Sequence, residues 1–182
     1  MNKLSTQVKT FSSCLLFLSV AMTAPTVWAH KDCTPYTAVL HLEGITPFGP
    51  LNGGGIYTIG DLPPQQGQVS VVLKGSATFD PTSPVFQANY ADMVLFAPSA
   101  DGSLNILTAI DKSVGAATGP GTFEATTRSR ITGGVGMFEG VRGKAFSTNV
   151  TSVDLTTGYT ISDINVRGKI CGIGEAGHSS DD

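Results

Sequence analysis

Hydrophobic and polar residues alternate with a period of two over much of the chain. In TFEATTRSRI (122–131), Phe123, Ala125, Thr127, Ser129 and Ile131 share one side while Glu124, Thr126, Arg128 and Arg130 share the other. Successive side chains of an extended backbone point to opposite faces, so this period marks a half-buried strand. The same reading predicts strands at TAVLHLEG (37–44), QVSVVLKGSATFD (68–80), VFQANYADMVLF (85–96), SLNILTAID (103–111), RGKAFSTNVTSVD (142–154) and YTISDINVRGKIC (159–171). A short strand is expected near GIYTIG (55–60). On the last long strand Thr160, Ser162, Ile164, Val166, Gly168 and Ile170 read as interior, which leaves Asp163, Arg167 and Lys169 in water. Turn signals rich in Gly, Pro, Ser and Asp separate the strands: DPTSP, APSADG, GAATGPG and LTTG. No helical period is sustained after the first thirty residues, and the fold class is all-β. Several strands reach ten residues or more. Sheets of long antiparallel strands tend to curl and close.

The first thirty residues break the pattern. A basic start (Lys3, Lys9) precedes an apolar run from Cys14 to Ala24, and Val27 and Ala29 stand at the −3 and −1 positions of a signal-peptidase site. The run is shorter than the roughly 20 apolar residues that span a bilayer. Cys14 precedes the apolar stretch, the wrong order for a lipid anchor. Residues 1–29 therefore read as a cleaved signal peptide, and residues 30–182 as one domain of a secreted or periplasmic protein with no stable membrane anchor. The remainder carries 9 basic and 14 acidic residues, a net of −5. That balance, without a basic run, argues against nucleic acid or an anionic membrane as partner. Two cysteines remain, Cys33 and Cys171. An oxidising compartment makes a disulfide between them the default, and a metal site would want C-x-x-C spacing. The bridge would bring the start of the first strand to the end of the last, as a closed barrel requires and as an open sandwich also permits.

The glycine-rich ITGGVGMFEGVRGKAF (131–146) raises the question of a phosphate-binding loop. A dinucleotide fingerprint, G-x-G-x-x-G, fails by one residue, because Met137, Phe138 and Glu139 separate Gly136 from Gly140. No helical stripe follows to receive a phosphate, and there is no Gly-Lys-Ser/Thr. The glycines suit a bend in a β-structure, with Met137 and Phe138 plugging it. The segment resembles the I-T-G-G-T-G-x-F-x-G-x-x-G stretch of the allene oxide cyclase and dirigent-like barrel superfamily, with Val135 in place of the usual Thr or Ser. The resemblance implies a closed antiparallel eight-stranded β-barrel, often homo-oligomeric. Its apolar cavity would steer a small molecule into one cyclisation or coupling outcome, with no metal or nucleotide cofactor.

Two residue pairs are candidates for chemistry in such a cavity. Tyr90 and Asp92 share a face with Phe86, Ala88, Val94 and Phe96, and an apolar face carrying a phenol and a carboxylate is typical of a ligand pocket. A buried Tyr and Asp that merely satisfy neighbours would look the same. His41 and Glu43 also share a face and could form an acid–base pair if they point inward. The alternation rule favours the opposite facing, with Ala38, Leu40 and Leu42 in the core. His30, first after the cleavage site, lacks the neighbours of a copper site, and Asn149-Val150-Thr151 matters only in a glycosylating host. There is no G-x-S-x-G.

Two functions follow. In one, the barrel binds an apolar small molecule and directs a cofactor-independent cyclisation or isomerisation by holding a near-reactive conformer. In the other, it is a non-catalytic envelope or extracellular binding or structural barrel whose interior is filled by Phe79, Phe86, Phe96, Phe123 and Phe138. A cavity of several hundred cubic ångströms with Tyr90–Asp92 or His41–Glu43 inside favours the first.

Overall fold

The computed structural model describes residues 32–45, 49–74, 78–79 and 85–173. The expected signal peptide, His30, His178, the DPTSP turn and the side chain of Phe79 lie outside the described residues. The strands are β1 (Cys33–Ile45), β2 (Leu51–Ile59), β3 (Gln65–Leu73), β4 (Thr78–Phe79), β5 (Val85–Phe96), β6 (Asn105–Gly119), β7 (Thr122–Val135), β8 (Arg142–Val153) and β9 (Tyr159–Cys171). All pairings are antiparallel, in the order β3-β2-β1-β9-β8-β7-β6-β5-β4, and β3 also pairs with β5. That last pairing closes the sheet. Because β4 continues along the flank of β5 that β3 occupies, with Thr78 opposite Gln87 after Leu73 opposite Tyr90, the cylinder has eight staves. Alternate residues of each strand face the interior, and Lys112, Arg128, Arg130 and Arg167 stand on the outer face.

Several boundaries differ from the sequence reading: β1 starts at Cys33, β7 runs on to Val135, and the stretch 68–80, read as one strand, is divided between β3 and β4. β6 was expected to stop at Asp111 but continues to Gly119, because Ser113 and Gly115 keep the inward period through what reads as a turn signal. Gly115 is needed there: a Cβ would lie 2.6 Å from the Phe86 ring. β2 begins at Leu51, so the glycine run 53–55 is strand and not turn, lying hard against β1 with Gly53 opposite Leu42.

One end of the cylinder is packed shut. Phe96 meets both Tyr57 and Phe138 at ring-centroid distances of 4.9 Å, and Leu107, Ile131, Val141 and Ile170 surround them, all buried. The glycine-rich segment makes this plug. A register shift after Thr108 leaves Thr132 as an extra residue in β7, a bulge of the kind that bends a strand. Gly134 then passes so close to β6 that a Cβ would sit 1.8 Å from the Ile106 carbonyl oxygen. Gly136, at φ 66°, starts a 3-10 turn (Gly136–Phe138) that turns Phe138 under the barrel with no exposed surface. Buried Asn105 fixes the turn: its Oδ1 accepts from the Met137 N–H at 3.0 Å while its Nδ2 donates to the Ala97 carbonyl at 2.9 Å. At the same end Cys33 and Cys171 are directly opposed in the β1–β9 ladder and joined as a disulfide across 138 residues. The bond is consistent with an oxidising compartment.

Candidate functional site

Beyond the plug the barrel is hollow. A cavity of about 440 Å³ is lined on one side by Leu40, Leu42, Leu51, Val69, Val71 and Val94. The β6–β9 side supplies Ser113, Thr127, Ser147, Asn149, Thr151 and Ser162. These polar groups bond along the wall, as Thr127 Oγ1 to Ser113 Oγ at 3.0 Å and Thr151 Oγ1 with Ser162 Oγ at 2.9 Å. Phe86 and Phe123, expected to fill the interior in the second function, instead line this space edge to face at 6.0 Å. Asn149 faces the cavity too, so its sequon is turned away from the surface.

Strand register places an acidic pair in the middle of the hollow. Asp92 on β5 lies opposite Ala109, and Asp111, one inward step along β6, lies opposite Tyr90. The two side chains are hydrogen bonded to each other. Burial raises the Asp92 pKa well above the usual carboxylate range, and the charge of Asp111 raises it further. Burial also raises Asp111, against hydrogen bonds from Asp92 and Ser129 that pull it down. Two carboxyls this close disfavour double ionisation, in the same direction as their burial. Three phenols complete the set. Tyr36, Tyr57 and Tyr90 line the same cavity, and desolvation is the main cause that raises each of their pKa values. Tyr57 Oη, Asp92 Oδ1 and Asp111 Oδ1 are buried without a hydrogen-bond partner in the protein. Buried polar atoms are ordinarily bonded, which sets these three apart from the rest of the lining.

No family model matches this chain, and no curated protein matches it. One solved structure it is similar to is that of the pterocarpan synthase dirigent protein GePTS1. The identity is 18% and the TM-score 0.39, over 86% of this chain and 100% of that one. Nothing in that match concerns allene oxide cyclases.

Of the residues singled out from sequence, Tyr90 and Asp92 line the cavity. His41 and Glu43 do not. Their strand buries Ala38, Leu40 and Leu42 and turns the pair outward, which corrects the expectation that they could act inside the barrel. On the outer face His41 Nδ1 meets Asp163 Oδ1 at 2.7 Å and Nε2 meets Glu43 Oε1 at 3.2 Å, while the Tyr159 hydroxyl donates to Glu43 Oε2. Hydrogen bonds to Asp163 and then Glu43 raise the His41 pKa. Sequence reading missed Asp111, Tyr36 and Tyr57. Extending β6 past residue 111 would have revealed Asp111, which then falls in phase with Leu107 and Ser113.

The acidic pair has a signature in stability. Both carboxyls titrate near 4 in an unfolded chain. As the pH rises past that value the unfolded chain releases protons that the barrel still holds. Stability therefore falls from about pH 4 upward and stays lowered above the folded pKa values. Asp101 and Asp154 are held below the usual range by hydrogen bonds, chiefly from Ser103 and Thr157, and act only at lower pH. His41 acts in the same direction as the pair, so the variant difference is the readout. Asp92→Asn is expected to flatten the decline in urea-unfolding free energy between pH 4.5 and 8; an unchanged slope would place the retained proton elsewhere.

Proposed function

We propose that this protein binds an apolar small molecule inside the barrel and directs its cyclisation or isomerisation without a cofactor. The observation that carries the reading is the Asp92–Asp111 pair, set with three phenols in the hollow of the barrel. Its volume falls within the roughly 300–1,000 Å³ of small-molecule sites. A protonated carboxyl beside a carboxylate can give a proton to one atom of a bound molecule and take one from another. Such a pair relocates a proton with no net oxidation or reduction, which is what an isomerisation or ring closure of that kind needs. The hydrocarbon wall would fix the ligand's shape, and the orphaned oxygens of Tyr57, Asp92 and Asp111 would fix its orientation. The ligand read from this lining is largely apolar and carries at least one oxygen function. A leader sequence and a disulfide support export, so the ligand would be met outside the cytoplasm.

Two measurements test this. Native mass spectrometry of protein purified from its host is expected to show a retained small molecule. An environment-sensitive apolar dye is expected to bind with a stoichiometry of one per chain. Ala125→Phe, which puts a ring into the cavity, is expected to abolish dye binding with the far-ultraviolet circular dichroism unchanged. Dye binding that survives this substitution would remove the cavity from the function and favour a non-catalytic binding or structural barrel.

A further inference from the structure

The chain contains no basic run, yet the fold builds a basic face. Arg128 and Arg130 of β7, Arg142 and Lys144 of β8, and Arg167 and Lys169 of β9 all point outward and are exposed. These six are two thirds of the basic residues that follow the leader, and they come from three strands spread over more than forty residues. The register sets them in rows: Arg128, Phe146 and Arg167 in one, and Arg130, Lys144 and Lys169 in the next. Arg142 follows in a third row, opposite Cys171. With strands about 4.8 Å apart and same-face residues about 6.7 Å apart along a strand, like charges stand at close intervals over the whole patch.

The ion pairs among the described residues join His41 to Glu43 and to Asp163, not any of these six cations. The nearest outward acid of β7, Glu124, is four residues from Arg128 and lies opposite Val150. The surface here is also recessed, with a hollow of about 1000 Å³ bordered by Arg130, Arg142, Lys144, Phe146, Arg167 and Lys169. Phe146 is 54% exposed, with the Arg128 guanidinium 5.9 Å from its ring centre. Arg142 is held in place, its Nη1 donating to the carbonyls of Thr132 at 2.5 Å and Val141 at 2.7 Å.

We infer that this face is a binding site for an acidic polysaccharide, a linear glycan bearing carboxylate or sulfate groups. Each sugar of such a chain advances by a step close to the strand spacing, so successive acid groups can meet Arg130, Lys144 and Lys169 in turn. The exposed ring of Phe146 offers the flat apolar surface on which the hydrogen-bearing face of a sugar packs, and Arg128 and Arg167 flank it to take charge. Nucleic acid fits less well, because single strands call for successive stacking platforms and this face has one ring. A bilayer fits less well too, since the cations border a recess and the rest of the mature chain is acidic. The site lies outside the wall formed by Ile131, Ala145 and Ile170, at the plugged end, and is separate from the interior cavity.

The test uses the leaderless protein, residues 30–182, with polygalacturonate and heparin as probes in titrations at 20 and 150 mM salt. Saturable binding is expected, weakening at least tenfold at the higher salt because exposed charges are screened. Arg130→Gln/Lys144→Gln/Lys169→Gln is expected to weaken it at least thirtyfold, and Phe146→Ala about fivefold. Lys74→Gln, off this face, is expected to leave it unchanged. Binding of the apolar dye in the cavity reports that each variant is folded. The proposal is overturned if neither glycan binds at 20 mM salt, or if the triple variant binds them like the parent. It is also overturned if neutral dextran, phosphatidylglycerol vesicles or a single-stranded oligonucleotide binds as tightly as the acidic glycans.

Discussion

Replacing Cys33 and Cys171 together by serine is expected to cost about 5 kcal/mol of stability, from the chain entropy of a 138-residue closure. For a domain of this size that lowers the unfolding temperature by about 10–20 °C. The bond ties the first strand to the last in the β1–β9 ladder, so the unfolded chain gains much freedom when it is removed. Differential scanning calorimetry of the serine variant against the oxidised parent gives the number directly. A loss under about 1 kcal/mol would mean that the reverse-turn and ladder contacts alone already restrict the unfolded ends, and the entropic account would fail.

Phe138→Ala is the second large effect, with an expected loss of about 3–5 kcal/mol. The ring has no exposed surface and meets Phe96 at 4.9 Å, and its removal leaves a void where the buried residues of β1, β6, β7 and β9 converge. The backbone around it is poorly placed to collapse. Asn105 clamps the turn from two sides, and Gly134 already touches β6. Urea unfolding by tryptophan-independent circular dichroism measures the change. A loss below about 1 kcal/mol would show that the glycine segment does not serve as a plug.

The fold was readable because alternation was clean where one side of a strand meets hydrocarbon and the other meets water. Phe123, Ala125, Thr127, Ser129 and Ile131 point inward as their period requires, and so do Thr160, Ser162, Ile164 and Val166. The glycine segment was readable for a different reason. Its bend needs residues that tolerate positive φ and close backbone approach, and those leave a visible pattern. The site was readable in half. Tyr90 and Asp92 stood out as polar residues on an apolar face, whereas Asp111 sat in front of Lys112 and a glycine-rich stretch that imitates a turn. That a second carboxyl would stand beside the first depends on the register of β5 against β6, which no single strand encodes. The basic face was hidden for the same reason. Its members come from three strands, and only lateral pairing makes them neighbours.

The pairing of β1 with β9 has a consequence for how the molecule is made. One flank of the first strand pairs with the second, but its other flank pairs at thirteen ladder positions with the final strand, so synthesis of nearly the whole polypeptide must precede completion of the cylinder. Contacts of such high sequence separation form slowly. Until the last stave is made, the first strand keeps one unpaired flank, and the disulfide that joins the two can form only once both are present.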